Sequence, residues 1–149
     1  MVTESLVPGP VTEAPVTVEA QAQTVRSRAR ILVADHSPIA LRFAASLLSG
    51  SGYDVEVAVD GLDVLGKLIA LKPDLVLLDS RMPRLDGFQT CVLIRGHPSL
   101  AKTPVVILSG RGGLFDRIRS RLAGAHSCLS KPFTADELLS LVRVALADA

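Results

Sequence analysis

Two aspartates, a serine and a lysine, each directly after a short run that reads as a strand, are the groups in this 149-residue chain best suited to chemistry. Asp35 follows Ile31–Ala34, Asp79 follows Leu75–Leu78, Ser109 follows Val105–Leu108, and Lys131 follows His126–Ser130. An aspartate carboxylate can act as a nucleophile and become an aspartyl phosphate. The product carries added charge, which a lysine, a hydroxyl donor and a divalent metal can offset. Mg²⁺ takes oxygen ligands in octahedral array, drawn from carboxylates, phosphate and water. The competing reading is that Asp79 only caps the turn after its strand, because Pro83 lacks a donor and Asp86-Gly87 favours a turn. Which reading holds depends on whether the four groups converge.

The elements around them argue that they do. Leu75–Leu78 is an unbroken apolar run, which suits a strand buried on both faces of a parallel sheet. From Arg30 onward strand, turn and helix alternate with short connections, the pattern of βαβ units. Ser37-Pro38 opens a helix as N-cap and first helical residue, with Ile39, Phe43 and Leu47 on one face. A second strand spans Tyr53–Val59, and the next helix carries Leu62, Leu65, Leu68 and Ile69. After the central strand, Asp86 caps a helix that turns Phe88, Cys91, Val92 and Ile94 inward. Leu114, Ile118 and Leu122 mark a fourth helix, and Thr134 with Glu137 forms a capping box for the last, whose stripe is Leu138, Leu141, Val142 and Ala145. Five strands and five helices result, and right-handed crossovers bring all the strand ends to one edge of the sheet. Four such groups meeting there by accident is improbable, and open α/β sheets place their ligand chemistry at that edge.

Composition bounds the alternatives. Hydrophobic residues make up 48% and charged residues 21%, enough for one sizeable core and too apolar for global disorder. A formal net charge of +1 argues against a dedicated nucleic-acid surface. Cys91 and Cys128 have no metal-ligand or CxxC spacing, so a reduced, cytoplasmic setting is the simplest reading. No apolar stretch approaches the roughly 20 residues that would insert across a membrane. Residues 1–25 contain Pro8, Pro10 and Pro15 without a patterned apolar face and read as a flexible tail, leaving 26–149 as the folded domain. Arg26, Arg28 and Arg30 form a basic lead-in, read as a solvated linker rather than a docking arm.

The runs Ile31-Leu-Val-Ala-Asp35-His-Ser-Pro38, Leu77-Leu-Asp79-Ser-Arg-Met-Pro83, Asp86-Gly87, Ile107-Leu-Ser109-Gly110 and Lys131-Pro-Phe133 together resemble response-regulator receiver domains over about Ile31 to Ala147. Pro83–Cys91 and Gly113-Leu-Phe-Asp116 further resemble the stand-alone receivers of the chemotaxis-like pathway that controls type IV pilus twitching motility. The resemblance implies a doubly wound, flavodoxin-like α/β fold with a five-stranded parallel sheet in the order 2-1-3-4-5. It implies that Asp79 is the phosphoacceptor, that Lys131 pairs with the phosphoryl group, and that Ser109 donates its hydroxyl to it. Asp35 and Asp79, with the backbone carbonyl of Arg81, would hold Mg²⁺. Ser109 would also act as the switch that rearranges the surface of the fourth helix, fifth strand and fifth helix, where a downstream protein would dock. A histidine kinase or phosphotransfer protein would supply the phosphoryl group, and the chain would not itself be a conventional enzyme.

Three residues depart from that pattern. His36 stands where receivers place a second acid, generally the direct metal ligand, and imidazole suits Zn²⁺ or Cu²⁺ better than Mg²⁺. Ordinary Mg²⁺ binding is therefore weakened, and His36 either ligates another metal or, as the hard-cation preference favours, is a surface histidine that does not ligate. Cys128 occupies the place of the aromatic switch residue and reads as a small packed side chain rather than a thiol sensor. Arg81 beside an acid pocket either screens Asp79 and Asp35 or points to solvent. Two functions follow: a phosphorylatable single-domain response regulator that acts by protein contact, or a receiver-like interaction module with impaired Mg²⁺-dependent phosphorylation. A phosphatase of the haloacid-dehalogenase kind is disfavoured, since Asp79-Ser80-Arg81 lacks its second aspartate. A DNA-binding regulator is disfavoured too, because the folded pattern ends with the fifth helix.

Overall fold

The computed structural model describes residues 28–110 and 113–149; the expected tail, residues 1–25, and Arg26 lie outside the described residues. Among the described residues five strands and five helices alternate: β1 (Arg30–Ala34), α1 (Pro38–Gly50), β2 (Asp54–Ala58), α2 (Gly61–Leu71), β3 (Leu75–Asp79), α3 (Gly87–Gly96), β4 (Val105–Ser109), α4 (Gly113–Leu122), β5 (Ser127–Ser130) and α5 (Ala135–Ala147). The strands are all parallel, in the order β2-β1-β3-β4-β5. This is the doubly wound arrangement expected from the sequence.

The sheet separates two apolar layers through the period-two alternation of strand side chains. Leu32, Ala34, Val76, Leu78, Val105 and Ile107 pack with α2, α3 and Ala123 just after α4, while Ile31, Val33, Leu75, Leu77, Val106 and Leu108 pack with α1 and α5. Every residue of β3 and β4 is buried, as their continuous apolar runs require. Local signals fix the helix starts. Ser37 accepts from the Ala40 amide with Pro38 following, Asp60 accepts from Asp63, and Asp86–Gln89 and Thr134–Glu137 both close capping boxes.

Several expected faces differ. In α1 the buried residues are Leu41, Ala44 and Leu48, and Ile39 and Phe43 face solvent. Almost every position of α1 between 39 and 48 is apolar or small, so periodicity alone does not choose the face; the fixed entry from Ser37-Pro38 does. The same holds in α2, where Val64 and Leu68 are buried and Leu62 and Ile69 are exposed, and Val92 of α3 is exposed as well. In α4 the predicted stripe is outward: Leu114, Phe115, Ile118 and Leu122 are all exposed, and only Ser120 of the helix is buried. β2 is an edge strand, so Val57 and Val59 remain accessible. Arg30 is not linker: its guanidinium donates to the Leu71 carbonyl at 2.8 Å and to Asp54 at 3.2 Å, tying β1 to the end of α2 and to β2.

Candidate functional site

The carboxyl ends of β1, β3, β4 and β5 lie side by side, so Asp35, Asp79, Ser109 and Lys131 are delivered to one edge. Asp79 is the last residue of β3, opposite Leu108 of β4, and is 2% exposed. Asp35 directly follows β1 and is 3% exposed, its backbone held by the Ala58 carbonyl. Lys131 directly follows β5, its amide donating to the Ser109 carbonyl at 2.7 Å, and the Lys131–Pro132 peptide is cis. Gly87, the first residue of α3, permits the turn after β3 to close. A methyl group there would run into the Asp79 carbonyl oxygen, and the Gly87 amide donates to Ser80.

Lys131 bridges the two acids. Its Nζ lies 2.8 Å from Asp35 Oδ2 and 3.3 Å from Asp79 Oδ1. The carboxylates are electrostatically unequal. Burial pushes Asp35 up, but the Lys131 ammonium and the Ser37 amide outweigh it and hold the group below its ordinary value. Burial pushes Asp79 up as well; Lys131 pulls it back, the neighbouring Asp35 charge adds to the rise, and the net shift is upward. Asp79 is thus the acid of the pair that takes a proton first.

His36 is drawn into this cluster. Its Nδ1 lies 2.8 Å from Asp79 Oδ2 and 3.6 Å from Asp35 Oδ1, with about half its side chain exposed. Potential ligand atoms of Asp35, His36 and Asp79 all fall within 4.8 Å of one another. Arg81 meets Asp79 through its backbone amide, 3.3 Å from Oδ1, and the residue is otherwise exposed, so of the two readings of its side chain the outward one fits. The donor set suits Mg²⁺ in part: two carboxylates are what that ion commonly takes from protein, and the imidazole is the misfit.

Ser109 sits at the end of β4, fully buried, and its hydroxyl donates to Asp116 of α4. Sequence reasoning assigned Asp116 no role. Its distance from Ser109 in the chain, across a Gly-rich loop, carries no periodic signal that could have revealed the contact. Cys128 is half-buried against the layer containing α2 and α3, opposite Ile107 in the sheet register, as a small packed residue would be. A cavity of about 730 Å³ opens beside the acids, lined by His36, Met82, Phe88, Phe115, Asp116 and Arg119, among others. The Arg119 guanidinium lies 4.1 Å above the Phe88 ring at its wall.

Residues 31–143 match the response regulator receiver domain family. The chain belongs to that family. It is 41% identical over 114 residues to protein PilG of Pseudomonas aeruginosa, an overlap of 76% of this chain and 84% of PilG. It is 38% identical over 117 residues to the DNA-binding dual master transcriptional regulator RpaA of Synechocystis, covering 78% of this chain but 48% of RpaA. Against several such relatives the receiver spans about half their length. Among solved structures, chemotaxis protein CheY4 of Vibrio cholerae superposes with a TM-score of 0.76 at 27% identity, over 79% of this receiver and 98% of that chain. The receiver domain of a Pseudomonas aeruginosa sensor histidine kinase, with a magnesium ion coordinated in its active-site cleft, gives 0.75 at 26% identity over 80% of this receiver and 98% of that chain. The Asp-His-Asp cluster of this receiver lies at the strand edge where the fold class places its chemistry.

Proposed function

We propose that this receiver accepts a phosphoryl group on Asp79 and signals through protein contact as a single-domain response regulator. The observation that carries the reading is the Lys131 ammonium set between Asp35 and Asp79 at the strand edge. An Asp79 carboxylate oxygen attacks the phosphorus of a phosphohistidine on a kinase or phosphotransfer protein. The P–N bond breaks, the imidazole leaves with the electron pair, and an aspartyl phosphate remains. Lys131, already in contact with both acids, supplies positive charge to the transferred phosphoryl oxygens. Asp35, Asp79 and the Arg81 carbonyl would hold Mg²⁺, which offsets phosphoryl charge when bound. Attack by water on the phosphorus would return the free carboxylate. In this reading Ser109 and Cys128 carry the change from the site to the α4-β5-α5 face, and the exposed Leu114, Phe115, Ile118 and Leu122 of α4 support an apolar surface for a downstream protein. Identity with PilG supports a place in type IV pilus motility. No helix among the described residues is long and apolar enough to cross a membrane, which fits a cytoplasmic partner pair; nucleic acid has no part in the proposal.

The test is intact mass after incubation with acetyl phosphate and Mg²⁺. Wild type gains one phosphoryl group and Asp79→Asn gains none; a full gain in the variant sinks the assignment. The 2.8 Å contact of His36 with Asp79 favours a second reading, an interaction module with impaired Mg²⁺-dependent phosphorylation. That reading predicts no gain in wild type even with excess donor.

A further inference from the structure

Apolar packing does little to attach α4 to the domain. Its apolar stripe faces solvent and only Ser120 of the helix is buried, so little apolar burial fixes its position. Polar ties stand in for it. Ser109 Oγ, at the end of β4, donates to Asp116 in the first turn of α4, and Arg119 reaches the Phe88 ring and approaches Asp86 at 3.9 Å. Asp116 is half-buried, so its bond with the wholly buried Ser109 is partly shielded from water.

A serine hydroxyl has one proton to donate. While Asp116 accepts it, the same proton cannot serve an oxygen on Asp79. We infer that Asp116 is a positioning residue: it competes with the phosphoryl group for the Ser109 proton and holds α4 in its unphosphorylated position. The inference rests on Asp79 as phosphoacceptor. When Asp79 gains its phosphoryl oxygens, the serine proton moves to them, Asp116 loses its donor, and this tie between α4 and β4 is released. The coupling is reciprocal, so weakening the hold of Asp116 favours phosphorylation by the same factor that phosphorylation loosens α4.

The experiment has two arms on the full chain. In the first, without phosphate, amide hydrogen exchange of residues 118–122 is followed in wild type, Asp116→Ala, Ser109→Ala and the double variant. Each single change should speed exchange severalfold, and the double variant should match the singles, because both remove one shared bond. Loss of the Asp116 charge near the helix start would act without Ser109, so additive effects, or none, overturn the inference. In the second arm, acetyl phosphate and Mg²⁺ are added. Asp116→Ala should reach a given phosphorylated fraction at about one-tenth the donor, the factor one charge-assisted hydrogen bond readily carries. Asp116→Asn, which keeps an acceptor, should fall between, and Asp116→Ala should gain nothing in a Ser109→Ala background. A merely structural role would slow phosphorylation, and unchanged or slower uptake in Asp116→Ala refutes the competition. If no variant takes phosphate while exchange stays coupled, Asp79 is not the acceptor and the competition falls with it, whereas the tie itself stands.

Discussion

Replacing His36 by aspartate should tighten Mg²⁺ binding by about tenfold. In wild type the cluster of Asp35, Asp79 and Lys131 carries a formal charge of −1, and His36 Nδ1 already occupies one side of Asp79 Oδ2 at 2.8 Å. His36→Asp brings the cluster to −2 and exchanges a nitrogen for an oxygen donor. One added unit charge about 4 Å from a dication contributes about 2 kcal/mol at the dielectric constant of water. The water-like limit applies because the His36 side chain is 53% exposed. Screening by salt and the entropy of fixing the new side chain reduce this toward about 1.4 kcal/mol, a factor of ten in affinity. Isothermal calorimetry of Mg²⁺ into both proteins measures the difference directly. Acidification should weaken binding in wild type, starting above the ordinary aspartate value, since Asp79, raised by burial and by the Asp35 charge, takes up the competing proton first. Equal affinities, or a tighter wild type, would show that His36 lies outside the metal's reach and that the two carboxylates alone set the affinity.

Gly87→Ala should destabilise the domain by about 1–3 kcal/mol, the usual range for forced overpacking, because the new methyl meets the Asp79 carbonyl and displaces backbone. Urea unfolding measures the loss, and a variant within 0.5 kcal/mol of wild type (roughly the scatter of neutral surface changes) would show that the β3–α3 turn yields freely. Cys91 is fully buried, and burial pushes its thiol up to about 11, the Arg95 charge opposing only in part. The unfolded chain therefore releases that proton near pH 9 while the folded chain keeps it. The stability so gained is complete below pH 9 and lost between about pH 9 and 11, on the order of 2 kcal/mol. Denaturant melts across that range should fall less steeply for Cys91→Ala than for wild type, and parallel slopes would refute the assignment. Native alkylation should likewise reach half-buried Cys128 well before Cys91.

The strand edge was legible because strands announce themselves by local composition and end where polarity begins. Leu75–Leu78 and Val105–Leu108 are continuous apolar runs; the groups that end or follow such runs, Asp79, Ser109, Asp35 and Lys131, inherit their address from topology alone. Capping residues were equally local, and Ser37, Asp86 and Thr134 all cap the helices they begin. Helix orientation was not. In α1 and α2 apolar residues occupy too wide an arc for a 3.6-residue period to pick a face, and the choice is made by how short loops deliver each helix to the sheet. Arg30 was misread for the same reason: its partners Asp54 and Leu71 are 24 and 41 residues away, and only the packed edge brings them near. His36 was a chemical misfit on the page, but whether it turned toward Asp79 depended on a side-chain direction no spacing encodes.

The outward stripe of α4 carries one more consequence. A helix that buried Leu114, Ile118 and Leu122 would be held by several large apolar contacts, each worth about 1.5–3 kcal/mol, and a single change of hydrogen-bond partner could not move it. With only Ser120 buried, the helix is instead held by a serine–carboxylate bond and by Arg119 on Phe88 and Asp86. Hydrogen bonds to charged groups contribute about 1.5–3 kcal/mol, comparable to what one new phosphoryl group can redirect. If Asp79 is phosphorylated as proposed, the exposed leucines and Phe115 would serve two ends at once: they would leave the helix light enough to shift, and they would present an apolar surface for a partner. What looked in the sequence like a buried amphipathic face would then be the reason that a phosphoryl group on Asp79, as proposed, is felt at the far side of α4.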